Sequence, residues 1–118
     1  MLEPSRFLAA AVIACTLLCV DSAAASLPSL GECFEGADFI ADAALSRDAG
    51  MSPEAFLGRM RQDFAAIRSY PNELRWFAHD VDDEEFLLAA ASEVFAHPLP
   101  AVMHREIFLR ACIDRMAG

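Results

Sequence analysis

The sequence predicts an all-α fold, a small bundle of four to five helices. Three observations predict it. Apolar residues recur every three or four positions, and no segment sustains period-two alternation of Val, Ile, Thr or aromatic residues. Helix start and stop signals such as Ser29, Gly50, Ser52 and Pro53 divide the chain. Two cysteines, Cys33 and Cys112, fall where they can clasp the first helix to the last.

The chain opens on an expected secretion signal, residues 1–25. Arg6 supplies a positive end, an apolar run extends from Phe7 to Val20, and Ala23-Ala24-Ala25 offers small residues for a signal peptidase. The run falls short of the ~20 residues that cross a bilayer as a helix. Cleavage near Ala25 is therefore expected, leaving a single helical domain, residues 26–118, without a stable membrane span. The expected location is periplasmic or secreted. Val12-Ile13-Ala14-Cys15 carries the residue types of a lipoprotein box, so a lipid anchor at Cys15 is the alternative. Against it, the apolar run continues through Leu17, Leu18 and Val20, where a polar linker normally follows.

The first helix is predicted from about Leu30 to Ala49. Ser29 and Glu32 have the spacing of a capping box, in which each side chain satisfies the other's free backbone N–H. Cys33, Ala37, Ile40, Ala41 and Ala44 share one face, and Gly50 can close the helix in the left-handed conformation. The second helix starts at Ser52, with Pro53 in its first turn and Glu54 favoured by the dipole. Phe56, Met60, Phe64 and Ile67 form its inner stripe, widened by Leu57, and Arg59 and Asp63 form an outer i,i+4 pair.

Tyr70-Pro71 breaks the chain. A short third helix is expected from about Asn72 to His79, turning Leu74 and Phe77 inward and leaving Trp76 over a seam. A fourth, capped by Asp82, carries Phe86, Leu87, Leu88, Ala90, Ala91, Val94 and Phe95, enough apolar surface for a central element. After His97-Pro98-Leu99-Pro100 the last helix is expected to reach Met116. Val102, Met103, Ile107, Phe108, Ala111 and Cys112 are its expected packing residues.

In an oxidising compartment the pair Cys33 and Cys112 reads as a structural disulfide, since Cys15 and Cys19 leave with the signal. Closing a loop of roughly 80 residues is worth at most ~4.5 kcal/mol by the chain-entropy estimate. That is a large share of the ~5–10 kcal/mol total of a small domain.

The chain is acidic, with a net charge of −9 and nine arginines but no lysine. Repulsion from phosphates argues against nucleic acid and anionic membranes as partners. The acidic run Asp80, Asp82, Asp83, Glu84, Glu85 lacks the glycine and the final Glu of a calcium loop, and reads as acids favoured by a helix N-terminus. His79, His97 and His104 have no metal-ligand spacing, and Met103-His104 is too short for a copper set. They are expected as surface or capping residues. Ser46, Ser69 and Ser92 lack a nucleophile motif, and no two carboxylates are placed across a cleft by the pattern. No catalytic, cofactor or metal residues are assigned.

The run Ala43-Ala44-Leu45-Ser46-Arg47-Asp48-Ala49-Gly50, with Cys33 before it and Cys112 near the end, resembles a loose group of small exported helical bacterial proteins of uncharacterised activity. They share a paired Cys and an Arg-Asp-x-Gly element closing the first helix. The resemblance implies an exported helical domain and no particular chemistry. The layout is also similar to that of periplasmic acid-stress chaperones, with no shared motif. The expected role is therefore non-enzymatic and protein-binding, with an envelope protein or a client chain as partner. A small-ligand or metal carrier with His97 or His104 at a cavity rim is the alternative.

Overall fold

The computed structural model describes residues 28–118; the expected signal, its cleavage site and Cys15 lie outside them. Four α-helices make up the described chain: α1 Leu30–Asp48, α2 Pro53–Ile67, α3 Val81–Ala96 and α4 Ala101–Met116. A 3-10 turn, Asn72–Leu74, stands between α2 and α3. Among the described residues there is no strand, and no helix is long and apolar enough to cross a membrane.

α1 starts on the predicted capping box. The Glu32 N–H donates to Ser29 Oγ at 3.1 Å, and the Ser29 N–H donates to Glu32 Oε1 at 2.9 Å. Past the C-cap Ala49 the chain turns at Gly50, whose φ of 100° would strain any side chain. The inner face of α1 is Cys33, Gly36, Ala37, Ile40, Ala43 and Ala44, mostly small residues that let a neighbour approach closely. That neighbour is α4, along which α1 packs, while α3 lies between α1 and α2.

Gly36 permits the closest approach. A Cβ there would fall 2.7 Å from Phe108 Cε1 and 3.3 Å from Phe77 Cδ2. Phe77, Phe86 and Phe108 form a triad above it, with centroids 5.4 to 6.2 Å apart. One helical turn away, Cys33 and Cys112 are joined: their sulfurs are 2.01 Å apart and their Cα atoms 5.8 Å apart. Both are fully buried, and Met116 Sδ rests 3.4 Å from Cys33 Sγ. The first and last helices are thus clasped, as the cysteine positions predict.

Three expectations are corrected. The segment from Asn72 to His79 is no helix beyond its 3-10 turn, and Trp76 takes a left-handed φ of 56°. Tertiary hydrogen bonds replace the helical ladder here: the Arg75 guanidinium donates to the carbonyls of Arg68, Tyr70 and His79. The reversal at Trp76 sends Phe77 into the core and leaves Leu74 65% exposed. The second correction is the cap of α3, which is Asp80; its Oδ1 accepts from the Asp83 N–H at 2.9 Å.

The third concerns α4. Its buried stripe is His104, Phe108 and Cys112, at i, i+4 and i+8, while Val102, Met103 and Ile107 are 62%, 47% and 55% exposed. The disulfide fixes which side of the helix meets α1. At about 100° per residue, the centre of that stripe is far from residues 102, 103 and 107.

Candidate functional site

α2 is the least embedded helix, with only Met60 and Phe64 buried. It begins as predicted: Ser52 Oγ accepts from the Ala55 N–H at 3.1 Å, and Pro53 occupies the first turn. α2 lies against α3 and does not close down on α1. The space left is an apolar groove of about 330 Å³ lined by Phe39, Met60, Asp63, Phe64, Ala66, Ile67, Trp76 and Leu87.

Trp76 forms one wall of this groove because of its left-handed backbone. A bulky residue in that conformation is costly, of order 1–3 kcal/mol, and needs surrounding contacts to hold it. Those contacts are present. The indole Nε1–H donates to Glu35 Oε2 at 3.0 Å, and the ring meets Phe39 edge-on at 5.7 Å. Phe39 in turn touches Phe56, and Phe56 touches Phe95, both at 5.7 Å. A continuous aromatic row thus runs from the groove to the far end of α3. Asp63 is the acidic residue of the lining, loosely paired with Arg59 at 3.9 Å.

A second apolar groove, about 240 Å³, lies between α3 and α4 and is lined by Ile40, Phe86, Ala89, Ala90, Glu93, His104, Ile107, Phe108 and Ala111. His104, expected at the surface, is buried in its wall. Its Nε2 lies 3.2 Å from the Leu99 N–H nitrogen and 3.1 Å from the His97 carbonyl, and the tautomer decides which bond forms. Burial lowers the His104 pKa below its ordinary 6.5, and the nearby Arg47 guanidinium lowers it further, against the raising effect of the His97 carbonyl. His97 is exposed, pairs with Glu93 at 2.9 Å and does not line the groove. His79 bridges the Glu32 carboxylate and the Asn72 carbonyl, tying the 3-10 turn to the start of α1.

The acidic run is not merely surface decoration. Asp83 is 1% exposed; its Oδ1 accepts from Arg115 Nη1 at 2.7 Å and its Oδ2 from the His79 N–H at 3.0 Å. Arg115 also stacks over Phe86 at 4.8 Å. Glu84 is buried and accepts both arms of Arg68, whose pKa this hydrogen bond raises. Burying a carboxylate is tolerable only with such a partner. A spacing rule within the run could not reveal this, because both arginines come from other elements.

Among the described residues no three His, Cys, Asp or Glu side chains gather where a metal ion could be held. Ser46 is half-buried in α1 and Ser92 half-buried in α3, whereas Ser69 donates to the Ala66 carbonyl in the turn after α2. The structure brings these three serines to separate elements. The chain matches no protein family, no curated protein and no solved structure.

Proposed function

We propose that this chain is an exported, non-enzymatic helical protein that binds another polypeptide, an envelope protein or an unfolded client, in the groove beside Trp76. The observation that carries this reading is the groove itself. It is apolar, open, and walled by Met60, Ile67 and three aromatic rings, Phe39, Phe64 and Trp76, a surface that accepts varied apolar side chains. The leader-like first 25 residues support export. The buried carboxylates Asp83 and Glu84 are each engaged by a guanidinium, which fits a structural role for them. The acidic charge favours a basic or neutral partner over nucleic acid or an anionic membrane. The similarity in layout to acid-stress chaperones fits the client version of this role.

Trp76 is the one tryptophan in the sequence, so the groove carries its own fluorophore. Titration with a reduced, unfolded polypeptide is expected to shift Trp76 emission to the blue and to suppress aggregation of that polypeptide. Ile67→Glu, at the half-buried lip, is expected to abolish both effects while the fold survives. Unchanged emission together with undiminished aggregation would reject the reading.

His104 in the wall of the second groove favours a further reading, a carrier of small apolar ligands between α3 and α4. Calorimetric titration with apolar ligands, and with zinc and copper for the metal version, tests it. Absence of heat and of a thermal shift would remove it.

A further inference from the structure

We propose that α4 pairs antiparallel with α4 of a second copy of this chain, through its outward face. At about 100° per residue, the side opposite His104, Phe108 and Cys112 is centred on Glu106 and Arg110. Met103 and Ile113 lie beside them on the same face and are 47% and 40% exposed. Among the described residues neither the Glu106 nor the Arg110 side chain has a hydrogen bond or ion pair. The face therefore reads Met, Glu, Arg, Ile, with spacings of three, four and three residues. This layout is self-complementary.

When two such helices run antiparallel about a two-fold axis, one register sets Glu106 of each copy opposite Arg110 of the other. The same register sets Met103 opposite Ile113. Both charges are matched twice and both apolar residues are covered twice, the condition for an isologous interface. Exposed Ile107 and Val102 flank the pairing and add apolar area. The overall charge of −9 opposes association, but α4 carries Arg105, Arg110 and Arg115 against Glu106 and Asp114. Repulsion between two copies is thus weak where this helix meets its mate, and salt screens the rest beyond about 8 Å. The surface is separate from the groove beside Trp76, and the inference does not rest on that groove's role.

Charge swapping gives the test. The full protein, purified as the cell processes it, is examined by sedimentation velocity over micromolar concentrations. A concentration-dependent dimer is expected. Glu106→Arg and Arg110→Glu should each weaken it at least about tenfold, because each sets like charges opposite one another. An equimolar mixture of the two variants should recover a heterodimer, since both pairs become complementary again. Both residues are exposed, and helical circular dichroism verifies that the variants fold. A wild type monomeric throughout the range would overturn the proposal. So would a dimer indifferent to the reversals, or a mixture that stays monomeric.

Discussion

Gly36 carries more of the packing than its size suggests. In a helix interior, Gly to Ala is normally favourable by about 1 kcal/mol. Here the added methyl would press on Phe108 at 2.7 Å, and Phe108 is held by Phe77 and Phe86. Overpacking of this kind costs about 1–3 kcal/mol and wins. Gly36→Ala is expected to lower stability by about 1 kcal/mol net in urea unfolding, whereas Gly58→Ala, with open space around it, should raise it. His104 gives a pH signature. Its folded pKa lies below 6.5, so the unfolded chain binds the extra proton first as pH falls. Its contribution is complete above pH 6.5 and is lost progressively below it, down to the folded pKa. Wild type should therefore lose stability relative to His104→Gln between pH 7.5 and 5. Parallel melting profiles for the two proteins would remove that role.

At the scale of the element, the connection from α3 to α4 is pinned from outside. The Arg47 guanidinium donates to the Val94 and Leu99 carbonyls, both at 2.8 Å, while Asp48 holds its other edge. The Arg-Asp-x-Gly element at the end of α1 thus acts as a staple on a distant loop. Arg47→Met should cost about 1–3 kcal/mol by leaving those carbonyls unpaired. Arg47→Lys should recover only part, since an ammonium cannot reproduce the fork. Hydrogen exchange of the Leu99 amide would report the loosening. The capped helices were legible in the sequence because their signals are local: Ser29 with Glu32, Ser52 with Pro53. The turn around Trp76 was not, because Arg75 overrides local preference with bonds to three separate carbonyls. The face of α4 is hidden from the sequence for a similar reason. Its apolar residues lie on two sides, and only the register set by Cys112 against Cys33 chooses which side is buried. The groove beside Trp76 combines three helices and a strained turn, so no single stretch of sequence announces it.

At the scale of the whole described fold, a covalent link and a buried ion pair secure the end of α4. Cys112 near the end of α4 is bound to Cys33 near the start of α1, 79 residues away. Arg115, one turn further, reaches Asp83 at the start of α3. The fold is thus tied at one end, and α2 at the periphery is left free to border an open groove. Cys112→Ser should lower the melting temperature by on the order of 10–20 °C under oxidising conditions. Reductant should bring the wild type down to the variant. A disulfide persists outside a reducing cytosol, so the clasp and the proposed export can be tested together. Mass spectrometry of the protein isolated from cells without reductant tests both at once. Export followed by oxidation gives an N-terminus at Ser26 and a single cross-linked peptide pair containing Cys33 and Cys112. An intact Met1, or two free thiols at those positions, would contradict it.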